Sequence, residues 1–366
     1  MEIECEKESL LELSQAVLRV VSPRANTPAL GGIRISAREG VVELAASDLE
    51  TFMTVTGECS VVKEGAVVLP GRLFGEILRS LPSGWVTISG ADGEARVEAG
   101  RSEFSMATFP VSDFPRPPTG DATEVCRVEG AHLARALKQV GKAASGDEGR
   151  PVLTGVLWAI ETGSLKVVAT DSYRLAVSDL LIKEGPESAQ AIIPNRALVE
   201  FARHLSSDES EQAEVWLGES QAVLSFGHVK LVTRQIEGEF PNWRRLIPEQ
   251  QKSRLAVDRE SFGAAVARVG LVAQANTPVR FHLGPEVQLT ASESGVAEAA
   301  EFVEEAEYEG EPMVVAFNPR FFLDGLEGVE AKRALLELTE PTKPATLKGE
   351  NQENYTYLVM PVRLPS

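Results

Sequence analysis

VVLPGRLFGEILRSL (67–81), AIIPNRALVEFARHL (191–205) and VAFNPRFFLDGLEGV (315–329) align without a gap at a spacing of 124 residues, and they put Arg72, Arg196 and Arg320 in one column. Other segments recur in the same order. VELAASDL (42–49) matches LKVVATDS (165–172) and VQLTASES (287–294), which makes Asp48, Asp171 and Glu293 equivalent. ANTP occurs at 25–28 and 275–278, and Phe-Pro follows an acid at Phe114-Pro115 and Phe240-Pro241. A period this long is a whole domain rather than the short unit of a solenoid.

At 366 residues the chain then divides into three domains, each large enough for its own core. The expected boundaries are 1–118, 122–248 and 254–366, with Pro-rich linkers at 115–120 and 248–253. With 43% hydrophobic and 25% charged residues and no long apolar run, the composition points to a soluble cytoplasmic protein without a membrane span. Cys5, Cys59 and Cys126 are odd in number and far apart, and none of the four His stands at metal-ligand spacing. Free thiols, with neither a metal nor another cofactor, are expected.

Each repeat opens with a strand and an amphipathic helix (8–21, 130–144, 259–273), continues with alternating strands, and enters a second helix at the column of Arg72. Asn195 and Asn318 stand where helix N-caps belong. The fold class is α+β: three tandem similar domains, each with two helices on antiparallel sheets. The net charge of −18 argues at first against nucleic acid, but charge is unevenly placed. Across the expected helices eleven bases face seven acids, whereas 293–311 holds eight acids and no Lys or Arg.

These residues resemble a family, the bacterial sliding clamp or beta subunit of DNA polymerase III. The resemblance runs through SPRANTPALGGI (22–33), AASDLE (45–50), VVLPGRL (67–73), GRSEFSMATFPVSDFP (100–115), RPVLTGVLW (150–158), VATDSYRLAV (168–177), EGEFPNWRRLIP (237–248), FNPRFFLDGL (317–326) and YLVMPVRL (357–364). It implies the DNA-clamp fold and a head-to-tail homodimer closed into a six-domain ring, with helices lining the hole around double-stranded DNA. Arg24, Arg72, Arg135, Lys138, Lys142, Arg150 and Arg196 are the bases it places near the duplex.

The resemblance also implies a pocket for short peptides of the polymerase III catalytic subunit, the clamp loader and other clamp-binding-motif proteins. The matching positions are Leu153, Thr170, Arg174, Leu175, Pro241, Arg245, Leu246, Asn318, Phe321, Leu358, Val359, Met360, Pro361, Val362 and Arg363. Ser172-Tyr173 replaces a frequent Gly-His, and Trp243 a frequent Tyr. The implied dimer seam joins Arg96, Arg101, Phe104 and Met106 of one copy to Leu271, Glu298, Glu301 and Phe302 of the other.

Two other classes stay open on sequence alone. One is an acidic repeat-domain scaffold that does not encircle DNA. The other is an enzyme built on Asp48 and Asp171, against which stand the missing phosphate-binding Gly loop, HExxH and GxSxG strings and the turn-forming habit of Asp at strand ends.

Overall fold

A computed structural model of the chain describes every residue except 22–26, 92, 118–124, 207, 209, 249, 274–276 and 364–366. Among the described residues six α-helices occupy the two expected places in each repeat: α1 (Lys7–Leu18), α2 (Gly71–Ser80), α3 (Gly130–Gly141), α4 (Asn195–Ala202), α5 (Arg259–Gly270) and α6 (Pro319–Glu327). Among the described residues no helix is long and apolar enough to cross a membrane.

The column at 71, 195 and 319 starts a helix each time because an extended strand ends there and apolar residues then recur at helical spacing. In α2, Phe74, Ile77 and Leu78 are buried while Arg72, Glu76 and Arg79 face solvent. Asn318 caps α6, its Oδ1 accepting from the N–H groups of Arg320 and Phe321. Asn195 does not cap α4. It is the first helical residue, and its Nδ2 instead donates to the Gly141 carbonyl at the end of α3, 3.0 Å away.

The chain forms two compact units, Met1–Ala131 with Arg196–Gln235, and His132–Asn195 with Ile236–Ser366. The division does not fall at the repeat junctions, because each unit is built on a large antiparallel sheet drawn from two repeats. In the first unit, the eight-stranded sheet runs Val125–Glu129, Gln212–Leu217, Gln221–Phe226, Val229–Arg234, Thr51–Glu58, Val41–Ser47, Gly32–Arg38, Gly65–Pro70. The seam between repeats is the pairing of Leu231 with Met53 and its neighbours.

In the second unit the nine-stranded sheet does the same. Arg174–Leu181 of the second repeat pairs with Tyr355–Val359 of the third, with Leu175 opposite Leu358. Smaller sheets complete the units, with five strands in the first and four in the second. Ser102–Ala107 forms an edge of the five-stranded sheet, and Ala297–Phe302 an edge of the four-stranded one.

In the first unit α1 packs on α2 over a core that includes Ile3, Leu10, Val17, Phe74 and Leu78. In the second, α5 packs on α6 around Phe262, Phe281, Phe317 and Phe322, whose ring centroids lie 4.9–5.9 Å apart. Each buried Phe contributes about 1.5–3 kcal/mol of apolar transfer free energy.

The expected excess of bases on the helices is smaller than the sequence suggested. Arg19, Lys142 and Arg203 fall just beyond helix ends, and Lys7 joins α1, so the six described helices carry nine bases and seven acids.

Candidate functional site

The Asp48 and Asp171 column is spent on turns. Asp48 Oδ1 accepts from the N–H groups of Glu50 and Thr51, and Asp171 Oδ1 from those of Tyr173 (2.9 Å) and Arg174 (3.0 Å). In the second repeat this turn builds one wall of a cleft. Thr170 Oγ1 accepts from the Ser172 N–H and donates to the Arg174 carbonyl. Ser172, at φ 81°, then turns Tyr173 outward, leaving it 62% exposed.

The Tyr173 ring stacks on Phe321 of α6, with centroids 6.5 Å apart and planes at 30°. Arg174 stays inside, its guanidinium carbon 4.3 Å from the Phe321 centroid, with Nε donating to Asp171 and Nη1 to Asp324. Burial works against the Arg174 charge, but Tyr357, Asp324 and Asp171 more than offset it and raise the pKa of the guanidinium.

α6 is held in this position by the strand Tyr355–Val359. The Tyr357 hydroxyl donates to the Phe321 carbonyl at 2.8 Å, and the Tyr355 hydroxyl to the Gly325 carbonyl at 3.0 Å. Helix and strand approach so closely that a Cβ on Gly325 would lie 2.3 Å from the Tyr357 ring. Beyond the strand, the Met360 N–H donates to the Tyr173 carbonyl and the Val362 N–H to Ala316, both at 2.8 Å. The result is an open cleft of about 450 Å³, lined by Tyr173, Thr277, Pro278, Asn318, Phe321 and Met360–Arg363, with apolar walls and few polar groups.

Of the pocket residues expected from sequence, Asn318, Phe321, Met360, Pro361, Val362 and Arg363 meet in this cleft. Leu175 and Leu358 are buried in a core with Phe240 and Trp243, and Leu153 and Val359 are also buried. Thr170 and Arg174 support the wall from behind. Pro241, Arg245 and Leu246 are exposed on the segment around the turn Trp243–Leu246 and do not line the cleft. Tyr173 was expected only as half of the Ser172-Tyr173 departure from a frequent Gly-His, and Thr277 and Pro278 were not expected there. The recurrence of ANTP ahead of the third repeat's strands was the signal for the last two.

The candidate DNA-contact bases are mostly paired within their own unit. Arg135 meets Glu330 at 2.8 Å, Lys138 meets Glu327 at 3.5 Å, and Lys142 contacts both Asp324 and Glu327. Arg150 binds Asp147 at 2.9 Å and the Ser172 hydroxyl at 3.1 Å, and Arg196 reaches Asp48 and Glu50. Among the described residues Arg72 is exposed and has no ion pair. Arg24 lies outside the described residues. Hydrogen bonding from Lys142 holds the Glu327 carboxyl below its ordinary pKa.

At the expected seam, Phe104 is half-buried on the edge strand, but Met106 is not a free surface residue: it is 6% exposed and belongs to the core of the first unit. Leu271 and Phe302 are 85% and 60% exposed. Arg101 and Glu298 are exposed, Arg96 pairs with Glu103, and Glu301 accepts two hydrogen bonds from Arg268.

Three family models match in order: the N-terminal domain of the DNA polymerase III beta subunit over residues 1–118, its central domain over 127–242 and its C-terminal domain over 244–363. Beta sliding clamps of Streptomyces coelicolor and Staphylococcus aureus are 38% and 30% identical to this chain, covering 100% and 99% of both partners. Among solved structures, the DNA polymerase sliding clamp of Bacillus subtilis is similar at TM-score 0.94 and 27% identity, over 100% of each chain. The Pseudomonas aeruginosa clamp bound to griselimycin is similar at TM-score 0.95 and 25% identity, over the same full coverage. With its repeated strand-to-helix units matched from end to end, this chain belongs to the DNA polymerase III beta subunit family, the sliding clamps of DNA replication.

Proposed function

We propose that two copies of this chain associate head to tail, edge strand Ser102–Ala107 of one against edge strand Ala297–Phe302 of the other, and close a ring around duplex DNA. The observation that carries this reading is the end-to-end correspondence with the family, repeat by repeat. The domain limits in the ring are 1–118, 122–248 and 254–366. Helices line the hole, and Arg24, Arg72, Arg135, Lys138, Lys142, Arg150 and Arg196 touch phosphates without reading sequence. Ring closure rather than affinity keeps the clamp on DNA, in keeping with a net charge of −18.

The cleft beside Tyr173 and Phe321 takes short linear peptides of the polymerase III catalytic subunit, the clamp loader and other clamp-binding-motif proteins. The clamp is a cytoplasmic, nucleoid-associated tether with no reaction of its own, Asp48 and Asp171 being committed to backbone hydrogen bonds. The test is retention on nicked circular DNA before and after linearisation, with a clamp loader supplied. Retention on circles with loss from linear ends is expected; equal retention on both forms would reject the ring.

A further inference from the structure

The pairing of the candidate DNA bases is concentrated where α3 meets the end of α6. Arg135, Lys138 and Lys142 face Asp324, Glu327 and Glu330 across a cleft of about 380 Å³. Buried links hold the two sides in register. Gln139, 5% exposed, donates from Nε2 to the Gly328 carbonyl and accepts from the Ser178 hydroxyl, both at 2.9 Å. Arg259 Nη1 donates to the Val329 carbonyl at 3.1 Å, fixing the same segment from its other side. The acids are therefore presented to the bases by a fixed frame.

Resting on the ring reading above, we infer that Glu327 and Glu330 set how freely the clamp moves along DNA, by competing with phosphates for Arg135, Lys138 and Lys142. Half-exposed pairs of this kind are worth about 0–1 kcal/mol each, so a phosphate displaces the carboxylate at little cost. The reverse exchange is equally cheap: a base leaving one phosphate is received by a carboxylate before it meets the next. The barrier between neighbouring positions on the duplex falls, and the number of counterions released on contact stays small.

The experiment compares the wild type with Glu327→Gln, Glu330→Gln and the double variant as full-length dimers. Asp324 is left in place because it also holds Arg174. Affinity for a short duplex is followed across a salt series, and diffusion of the loaded, labelled clamp is tracked on stretched DNA. The double variant is expected to steepen the log-affinity against log-salt slope by about one unit per freed base, and to diffuse severalfold more slowly.

Glu219→Gln with Glu286→Gln, which removes the same charge from exposed acids that have no ion pair among the described residues, is expected to change neither reading. Unchanged slope and diffusion in the double variant would overturn the inference while leaving the ring intact, as would an equal change in the control. A wild type that is not retained on circles would instead sink the ring reading, and this inference with it.

Discussion

Leu49 and Ser172 occupy the same place in the first and second repeats, and both carry the chain through the left-handed region, at φ 78° and 81°. Each follows an Asp whose carboxylate closes the turn. A side chain in this region costs about 1–2 kcal/mol, part of which glycine returns as unfolded-state entropy. Leu49→Gly is expected to raise stability by roughly 0.5–1 kcal/mol. Ser172→Gly gains less, since it loses the hydrogen bond from Arg150. Urea midpoints of the two variants check this, and a lowered midpoint for Leu49→Gly would refute the strain.

Removing the tail beyond Val359 deletes Met360–Arg363 from the cleft together with the hydrogen bonds to Tyr173 and Ala316. Binding of a labelled clamp-binding-motif peptide, read by fluorescence anisotropy, is expected to disappear, with native mass still that of a dimer. Phe321→Ala is expected to weaken the same peptide at least tenfold, a loss of about 1.4 kcal/mol. Undiminished affinity in both variants would place the peptide elsewhere.

At the proposed seam, Phe104→Asp is expected to give monomers by native mass spectrometry. Phe104 also packs against the first unit's core, so loss of folding would confound that variant. Leu271→Asp settles the matter, because Leu271 is 85% exposed and its replacement costs the unit little. A folded Leu271→Asp protein that remains dimeric would exclude this face.

Burial pushes the Cys5 thiol from 9.0 up to about 12, helped by its neighbour Cys59, and the Cys126 thiol from 9.0 up to about 11. A folded pKa raised above the unfolded one means the native state holds its proton more tightly. The associated stability is complete below about pH 9 and is lost as pH rises toward 11–12. Thermal midpoints are expected to be level up to pH 9 and to fall above it, with a shallower fall in Cys5→Ser/Cys126→Ser. A fall of unchanged steepness in that double variant would clear the thiols.

The helices and the turns were legible because they are local. Phe74, Ile77 and Leu78 announce α2 by spacing alone, and Asp48 and Asp171 announce turns by residue type. Asn195 misled because nothing near it in sequence shows that the Gly141 carbonyl will be within its reach. The pairing of Lys138 and Lys142 with Glu327 was invisible for the same reason: the partners lie in different repeats. Met106 shares the apolar face of its strand with Phe104, and sequence alone does not show that this face is already covered by the core of its own unit. Tyr173 could be flagged as unusual from its position, but its stacking on Phe321 depends on the φ of Ser172.

The strand Tyr355–Val359 lies between Arg174–Leu181 and Ala345–Gly349 in the nine-stranded sheet, although the first of these neighbours is made far earlier on the ribosome. Until that strand emerges, the second repeat exposes an unsatisfied sheet edge, and Phe321 lacks the tyrosine beneath it that fixes its carbonyl. On the proposed reading of the cleft, the surface for partner peptides is complete only once this strand is in the sheet. A chain that lacks this strand is then expected to hold no partner peptide.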